Sequence, residues 1–140
     1  MGDRRRPRRV GRGTGNARSL GLAVEFRLSD LLADGRVASV AARCDVLVAN
    51  LPYLPDGDAA DLAPEVRFDP PRALFGGSDG LSVVERLRVQ ASELLTPGAL
   101  LALELDPRNA LNMVSRLRGW RDVRLEADLT GRTRFVLARR

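Results

Sequence analysis

The chain has 140 residues, 44% of them apolar, and a formal charge of +5, which sets the expectation of one domain burying about two-thirds of its unfolded surface. The charge sits at one end: residues 1–12 hold Arg4, Arg5, Arg6, Arg8, Arg9 and Arg12 against Asp3, and beyond them arginines and acids are equal in number. Histidine is absent and Cys44 is the only thiol, so an internal disulfide, imidazole acid–base chemistry and a Cys/His zinc site are excluded.

A nucleic-acid footprint is confined by this distribution to the N-terminal tail. Arginine without any lysine reads as a GC-rich coding bias. No apolar run approaches the ~18 residues of a membrane span, and the Arg-rich start lacks the apolar core of a secretory signal. The expectation is a soluble, cytoplasmic protein with no membrane contact, in which Cys44 packs as a small hydrophobe.

Residues 1–15 are rich in Arg, Gly and Pro, with few side chains to offset the entropy of ordering, so they are expected to be a disordered tail ahead of a domain over 16–140. Asn16 to Leu22 reads as a helix end stopped at Gly21. A strand is expected over Val24–Leu28, then a polar turn at Ser29-Asp30 and a helical stretch through Val40. Asp45–Asn50 is continuously apolar from Val46, the pattern of a strand buried on both faces of a parallel sheet.

Residues 54–80 collect Pro55, Pro64, Pro70 and Pro71 with Gly57, Gly76, Gly77 and Gly80; loops of this length in small domains tend to carry function. Ser82 to Leu95 has helical spacing at Val83, Val84, Leu87, Ala91, Leu94 and Leu95, with Ser82 and Glu85 placed for a capping box. A second apolar strand is expected over Ala99–Leu105. Pro107 then opens a helix to about Arg118, with Leu111, Val114 and Leu117 as its apolar stripe. Val123–Ala127 and Arg134–Ala138 close the chain as a hairpin around Asp128–Thr133. This order predicts an α/β sheet with crossover connections and a terminal antiparallel pair.

The chemistry concentrates in Asn50-Leu51-Pro52-Tyr53. A strand ending there presents a carboxamide where open α/β sheets bind ligands, and Pro52 breaks the ladder so that the loop can line a pocket. Asn offers one acceptor and two donors, and Tyr offers a flat face with a polar tip. Such a set grips a planar amino or amide nitrogen.

Asn50–Tyr53, followed by the stretch Glu65 to Leu81, resembles the catalytic half of the protein-(glutamine-N5) methyltransferases that modify peptide-chain release factors, the HemK-like family. The resemblance runs from about Asn16 to the C-terminus. It includes Asp45, Leu94-Leu95-Thr96-Pro97-Gly98, Glu104, Asp128 and Gly131-Arg132-Thr133-Arg134. It implies a Rossmann-like class I sheet using S-adenosylmethionine (AdoMet), with a release factor as protein partner. It further implies that the Asn50 side-chain oxygen and the Leu51 carbonyl accept the two hydrogens of a glutamine amide, while Pro52 and Tyr53 shape the pocket. Orientation at near-attack distance can lower such a barrier without a strong base.

The family has Pro at the position of Leu51, Gly at Asp106 and Glu at Asp69. Asn-Leu-Pro-Tyr is also similar to the motif of ribosomal-RNA adenine dimethylases, which leaves a nucleic-acid amino methyltransferase as an alternative. A non-catalytic remnant with an RNA-contacting tail is a third reading.

By the same resemblance the chain is expected to lack the first two strands of the methyltransferase sheet. Gly11-Arg12-Gly13-Thr14-Gly15 fits G-x-G-x-G, yet no apolar strand precedes it, and the match reads as chance. Of the AdoMet site, Asp30 and Leu31 would remain near the adenine and Asn50 beside the methyl group. The missing first strand would leave the edge of the Asn50 strand unpaired, open to self-association. A marginally stable chain that binds AdoMet weakly or not at all is therefore expected.

Overall fold

The computed structural model describes residues 6–140, with side chains from residue 11 onward. Helix α1 (Arg6–Ser19) is followed by an extended segment over 22–29, helix α2 (Gly35–Ala41) and strand β1 (Val46–Asn50). Two short 3-10 turns and the one-turn helix α3 (Pro71–Leu74) fill the long connection. Helix α4 (Ser82–Leu94), strand β2 (Leu100–Glu104), helix α5 (Pro107–Arg116) and the strands β3 (Arg121–Ala127) and β4 (Thr133–Arg139) complete the chain. No helix among the described residues is long and apolar enough to cross a membrane.

The four strands form one sheet in the order β1-β2-β4-β3. β1 and β2 are parallel, and β4 runs antiparallel to both its neighbours, β2 and β3. The expected α/β sheet with a closing hairpin is what forms, because β1 and β2 are joined through α4, whereas β3 and β4 are joined by a tight turn. Register places Leu47, Ala49, Leu101, Leu103, Val136 and Ala138 on one face. Val84, Leu87 and Ala91 of α4 and Ala110 and Met113 of α5 bury against that face as one core.

Five expectations change. The disorder expected over residues 1–15 gives way to helix from Arg6, with residues 1–5 outside the described part. Arginine is a good helix former, and the helix is anchored by buried Ala17 and by Gly13, whose missing Cβ leaves room for the Phe26 ring. Gly21 does stop it, at φ +65°. Val24–Leu28 is extended but forms no strand, since no described strand lies beside it to complete its hydrogen bonds.

β1 is not buried on both faces: Val46 and Val48 remain 50% and 72% exposed, because the sheet ends at β1 and the helices cover only the Leu47/Ala49 face. The Ser82–Glu85 capping box is absent. Leu81 is the N-cap without a side-chain bond, and Glu85 instead holds Arg88 at 2.6 Å. On α5 the buried stripe is Ala110, Met113 and Leu117, with Leu111 exposed, because the helix turns its Asn109–Met113 side toward the sheet.

Candidate functional site

β1 delivers Asn50 to its C-terminal end, exposed and in register with Glu104 of β2, so the two side chains stand side by side on the open face of the sheet. Among the described residues no group hydrogen-bonds the Asn50 carboxamide, which leaves its oxygen and both N–H donors for a ligand.

Pro52, Tyr53 and Leu54, in the loop after Asn50, are held from several directions. The Leu54 N–H donates to the Leu74 carbonyl at 2.9 Å, and the Gly76 N–H donates to the Leu54 carbonyl at 2.9 Å, a parallel bridge between the two loops. Gly76 is buried so closely that a Cβ would come within 2.5 Å of the Pro52 carbonyl. At Gly80, φ is +75° and a Cβ would lie 2.2 Å from the Tyr53 carbonyl. Only glycine accepts both that conformation and that approach. The glycines of the Glu65–Leu81 stretch thus let it close on the backbone of Pro52-Tyr53-Leu54. Within it, the Arg67 guanidinium donates to the Leu62 and Ala60 carbonyls, and Phe68 stands exposed.

Asn109 of α5 is a site residue that the sequence reading did not single out. It is 8% exposed, the one buried polar side chain among the described residues, and its Nδ2 donates to the Asp79 carbonyl at 2.9 Å and toward the Tyr53 carbonyl at 3.4 Å. A polar residue on the buried face of α5, beside Ala110 and Met113, was the available signal. Asp106, at the position where the resembling family has Gly, caps this helix: its Oδ1 accepts from the Arg108 N–H at 2.9 Å, and its backbone is extended at φ −62°, so no glycine is needed.

The Tyr53 hydroxyl accepts from Arg134 at 3.4 Å, and the same guanidinium lies 3.1 Å from Asp128. Asp128 in turn accepts from the Thr130 hydroxyl and from the Thr130 and Arg132 N–H groups. The Thr130 hydroxyl, then the Arg132 N–H, hold its carboxyl below the usual carboxylate range. The Asp128–Arg134 pair thereby reaches the tip of Tyr53 from β4. Asp79 is also held low, by the Leu81 N–H first and by Arg116 after it.

Asp30 and Leu31 stand elsewhere, at the turn before α2. The Asp30 carboxylate is engaged by Arg86 of α4 at 2.5 Å, Leu31 has φ +55°, and the Leu32 N–H donates to Gln90. No described hydrogen bond or ion pair joins this turn to Asn50–Tyr53. Gly11, Gly13 and Gly15 lie inside α1, so that G-x-G-x-G spacing forms no phosphate- or methionine-binding turn.

The four-stranded α/β sheet, with a carboxamide at the end of an apolar parallel strand and a clasped aromatic after it, is part of a Rossmann-like methyltransferase fold. No protein-family model matches the chain. Among curated proteins it is 46% identical over 127 residues to the release factor glutamine methyltransferase of Deinococcus radiodurans, covering 89% of this chain and 44% of that protein. The corresponding protein of Rhodospirillum rubrum is 43% identical, over 89% of this chain and 38% of the relative, and that of Mycobacterium tuberculosis 39% identical, over 86% and 40%. The chain is a relative of the release factor glutamine methyltransferases and corresponds to their C-terminal part, spanning less than half their length.

Proposed function

We propose that this chain carries the substrate half of a glutamine-amide methyltransferase that acts on a release factor. The observation that supports this most is the contrast at the end of β1: Asn50 is uncommitted and exposed, while the Tyr53 beside it is held through its carbonyl, its hydroxyl and its neighbouring residue. A glutamine amide nitrogen is a poor nucleophile because its lone pair is delocalised into the carbonyl. Two acceptors that bind its hydrogens fix the direction of the nitrogen and draw charge onto it, and the Asn50 Oδ1 and the Leu51 carbonyl are those acceptors. The Pro52, Tyr53 and Leu54 carbonyls are turned toward the glycine loop or Asn109. The Leu51 contact is a backbone group, so Leu in place of Pro leaves the acceptor unchanged.

AdoMet would supply the methyl group, yet the described residues fit it only in part. The glycine triplet is helical, so no turn for the methionine end forms there, and the Asp30 carboxylate, which the resemblance places near the adenine, is engaged by Arg86. Calorimetric titration of the isolated chain is expected to show no micromolar AdoMet binding.

The substrate reading is tested in a covalent chimera, in which residues 16–140 replace the matched C-terminal part of the Deinococcus radiodurans protein. The chimera is expected to transfer labelled methyl to release factor, and Asn50→Ala to reduce kcat about 100-fold or more. Methyl transfer to ribosomal RNA in preference to release factor, or full activity after Asn50→Ala, would overturn the proposal.

A further inference from the structure

Glu104 is half-buried at the C-terminal end of β2, on the sheet face that the helices leave open. Its strand partners there are Asn50 on β1 and Phe135 on β4, and the next row of the same face is Val48, Ala102 and Leu137. No described group hydrogen-bonds or ion-pairs with its carboxylate. Arg108 and Arg134, at the same end of the sheet, are engaged by Asp106 and Asp128. Among apolar neighbours, the side chain beside it that carries a donor is therefore Asn50, whose carboxamide is equally uncommitted. Two unsatisfied polar groups stand together, and the role given to Asn50 leaves Glu104 without one.

The carboxamide has two ends of opposite polarity. To bind the hydrogens of a glutamine amide, Asn50 has to turn Oδ1 toward the substrate and Nδ2 away from it; a half-turn about the terminal torsion sets N–H against N–H instead. An ionised carboxylate accepts hydrogen bonds and donates none, so a neighbour of that kind selects the rotamer that sends an Nδ2 hydrogen to it. Paired strands lie about 4.8 Å apart, which Asn and Glu side chains on the same face can bridge. Hydrogen bonds of this kind commonly tighten only once a substrate is bound.

We infer, on the amide-binding reading of Asn50, that Glu104 is a positioning residue: it accepts one Nδ2 hydrogen of Asn50 as the substrate amide docks, and so turns Oδ1 to the amide hydrogens. Direct contact between Glu104 and the peptide is the rival role, and it has a different kinetic signature. A misdirected carboxamide lets the protein substrate dock and slows the chemical step, whereas a lost peptide contact weakens docking.

In the covalent chimera, Glu104→Leu is expected to lower kcat for methyl transfer to release factor by about tenfold to 100-fold, with KM changed by less than about twofold. In the full 140-residue chain the same substitution should not lower Tm, because it replaces an unpartnered carboxylate among apolar neighbours. A second variant exchanges the polarity of the pair. Asn50→Asp alone sets two carboxylates side by side and should cost about 100-fold in kcat, and adding Glu104→Gln, which restores one donor and one acceptor with an oxygen still facing the amide, should recover about tenfold. Losses that simply add in the double variant overturn the inference. So does full kcat after Glu104→Leu, or a loss confined to KM. If Asn50→Ala inactivates the chimera while Glu104 proves indifferent, the amide-binding reading stands and the positioning role falls; full activity after Asn50→Ala removes both.

Discussion

The two ends of β1 are built on opposite principles. At its C-terminal end the loop after Asn50 is held redundantly: a bridge from Leu54 to Phe75, glycines that admit close carbonyls, and Asn109 and Arg134 reaching Tyr53 from α5 and β4. Along its outer edge the same strand is bare, beside an extended segment that pairs with nothing described. On the proposed function the substrate side is preorganised by contacts inside this chain, whereas the described residues supply no such contacts along the outer edge of β1. If this loop orients a weak nucleophile as proposed, a displacement of about 1 Å would cost much of the rate, and the contacts on Pro52, Tyr53 and Leu54 would guard against it.

Gly80→Ala should break the clasp most severely. A methyl group there meets the Tyr53 carbonyl at 2.2 Å at a φ of +75°, and about 3 kcal/mol of stability should be lost through strain and backbone displacement. Gly57→Ala, where nothing lies within 4 Å, should change stability by under about 0.5 kcal/mol. Urea unfolding of the pair measures the difference, and equal midpoints would show that the glycine loop does not hold the tetrapeptide.

Asn109→Ala should cost about 1–3 kcal/mol, since it strips a donor from the Asp79 carbonyl in a buried site. In the chimera it should also lower kcat, because Tyr53 loses its support from α5. A stability loss with unaltered kcat would separate the packing role from the positioning role.

The smallest effect is that of acid. Asp79, Asp106 and Asp128 are all held below the ordinary carboxylate value: Asp79 chiefly by the Leu81 N–H, Asp106 chiefly by the Arg108 guanidinium, and Asp128 chiefly by the Thr130 hydroxyl. A carboxylate whose folded pKa is depressed stabilises the fold above its unfolded pKa, and that contribution is lost as pH falls through the folded value. Stability should therefore be level near neutrality and decline below about pH 4. Amide exchange should show the β3–β4 turn and the Asp79 loop opening before the Leu101–Leu103 core. Asp128→Asn should reduce the slope of the decline.

How far the fold was legible in the sequence varied by element. β1, α4, β2, α5 and the closing hairpin lie within a few residues of their expected places, because each carries a strong apolar period or a Pro or Gly stop. Val24–Leu28 misled despite a good alternating pattern, since a strand exists only with a neighbour to bond to. The Ser82–Glu85 pair misled because the Ser82 N–H is taken by the Gly76 carbonyl and Glu85 turns to Arg88. Asp128 and Arg134 were visible as a motif, but their reach to Tyr53 was not: 81 residues of chain separate Arg134 from the hydroxyl it meets.

By itself the sequence determined the carboxamide at the strand end, the neutral body beyond the Arg-rich start and the glycine-rich character of the loop that follows. Local period and backbone chemistry are sufficient for those. Only the tertiary structure decided that Asn109 would be buried beneath Tyr53, that Asp30 would be spent on Arg86, and that the apolar face of β1 would remain bare. Each of these depends on which segments lie side by side, and burial and pairing are properties of neighbours that no single stretch of chain contains.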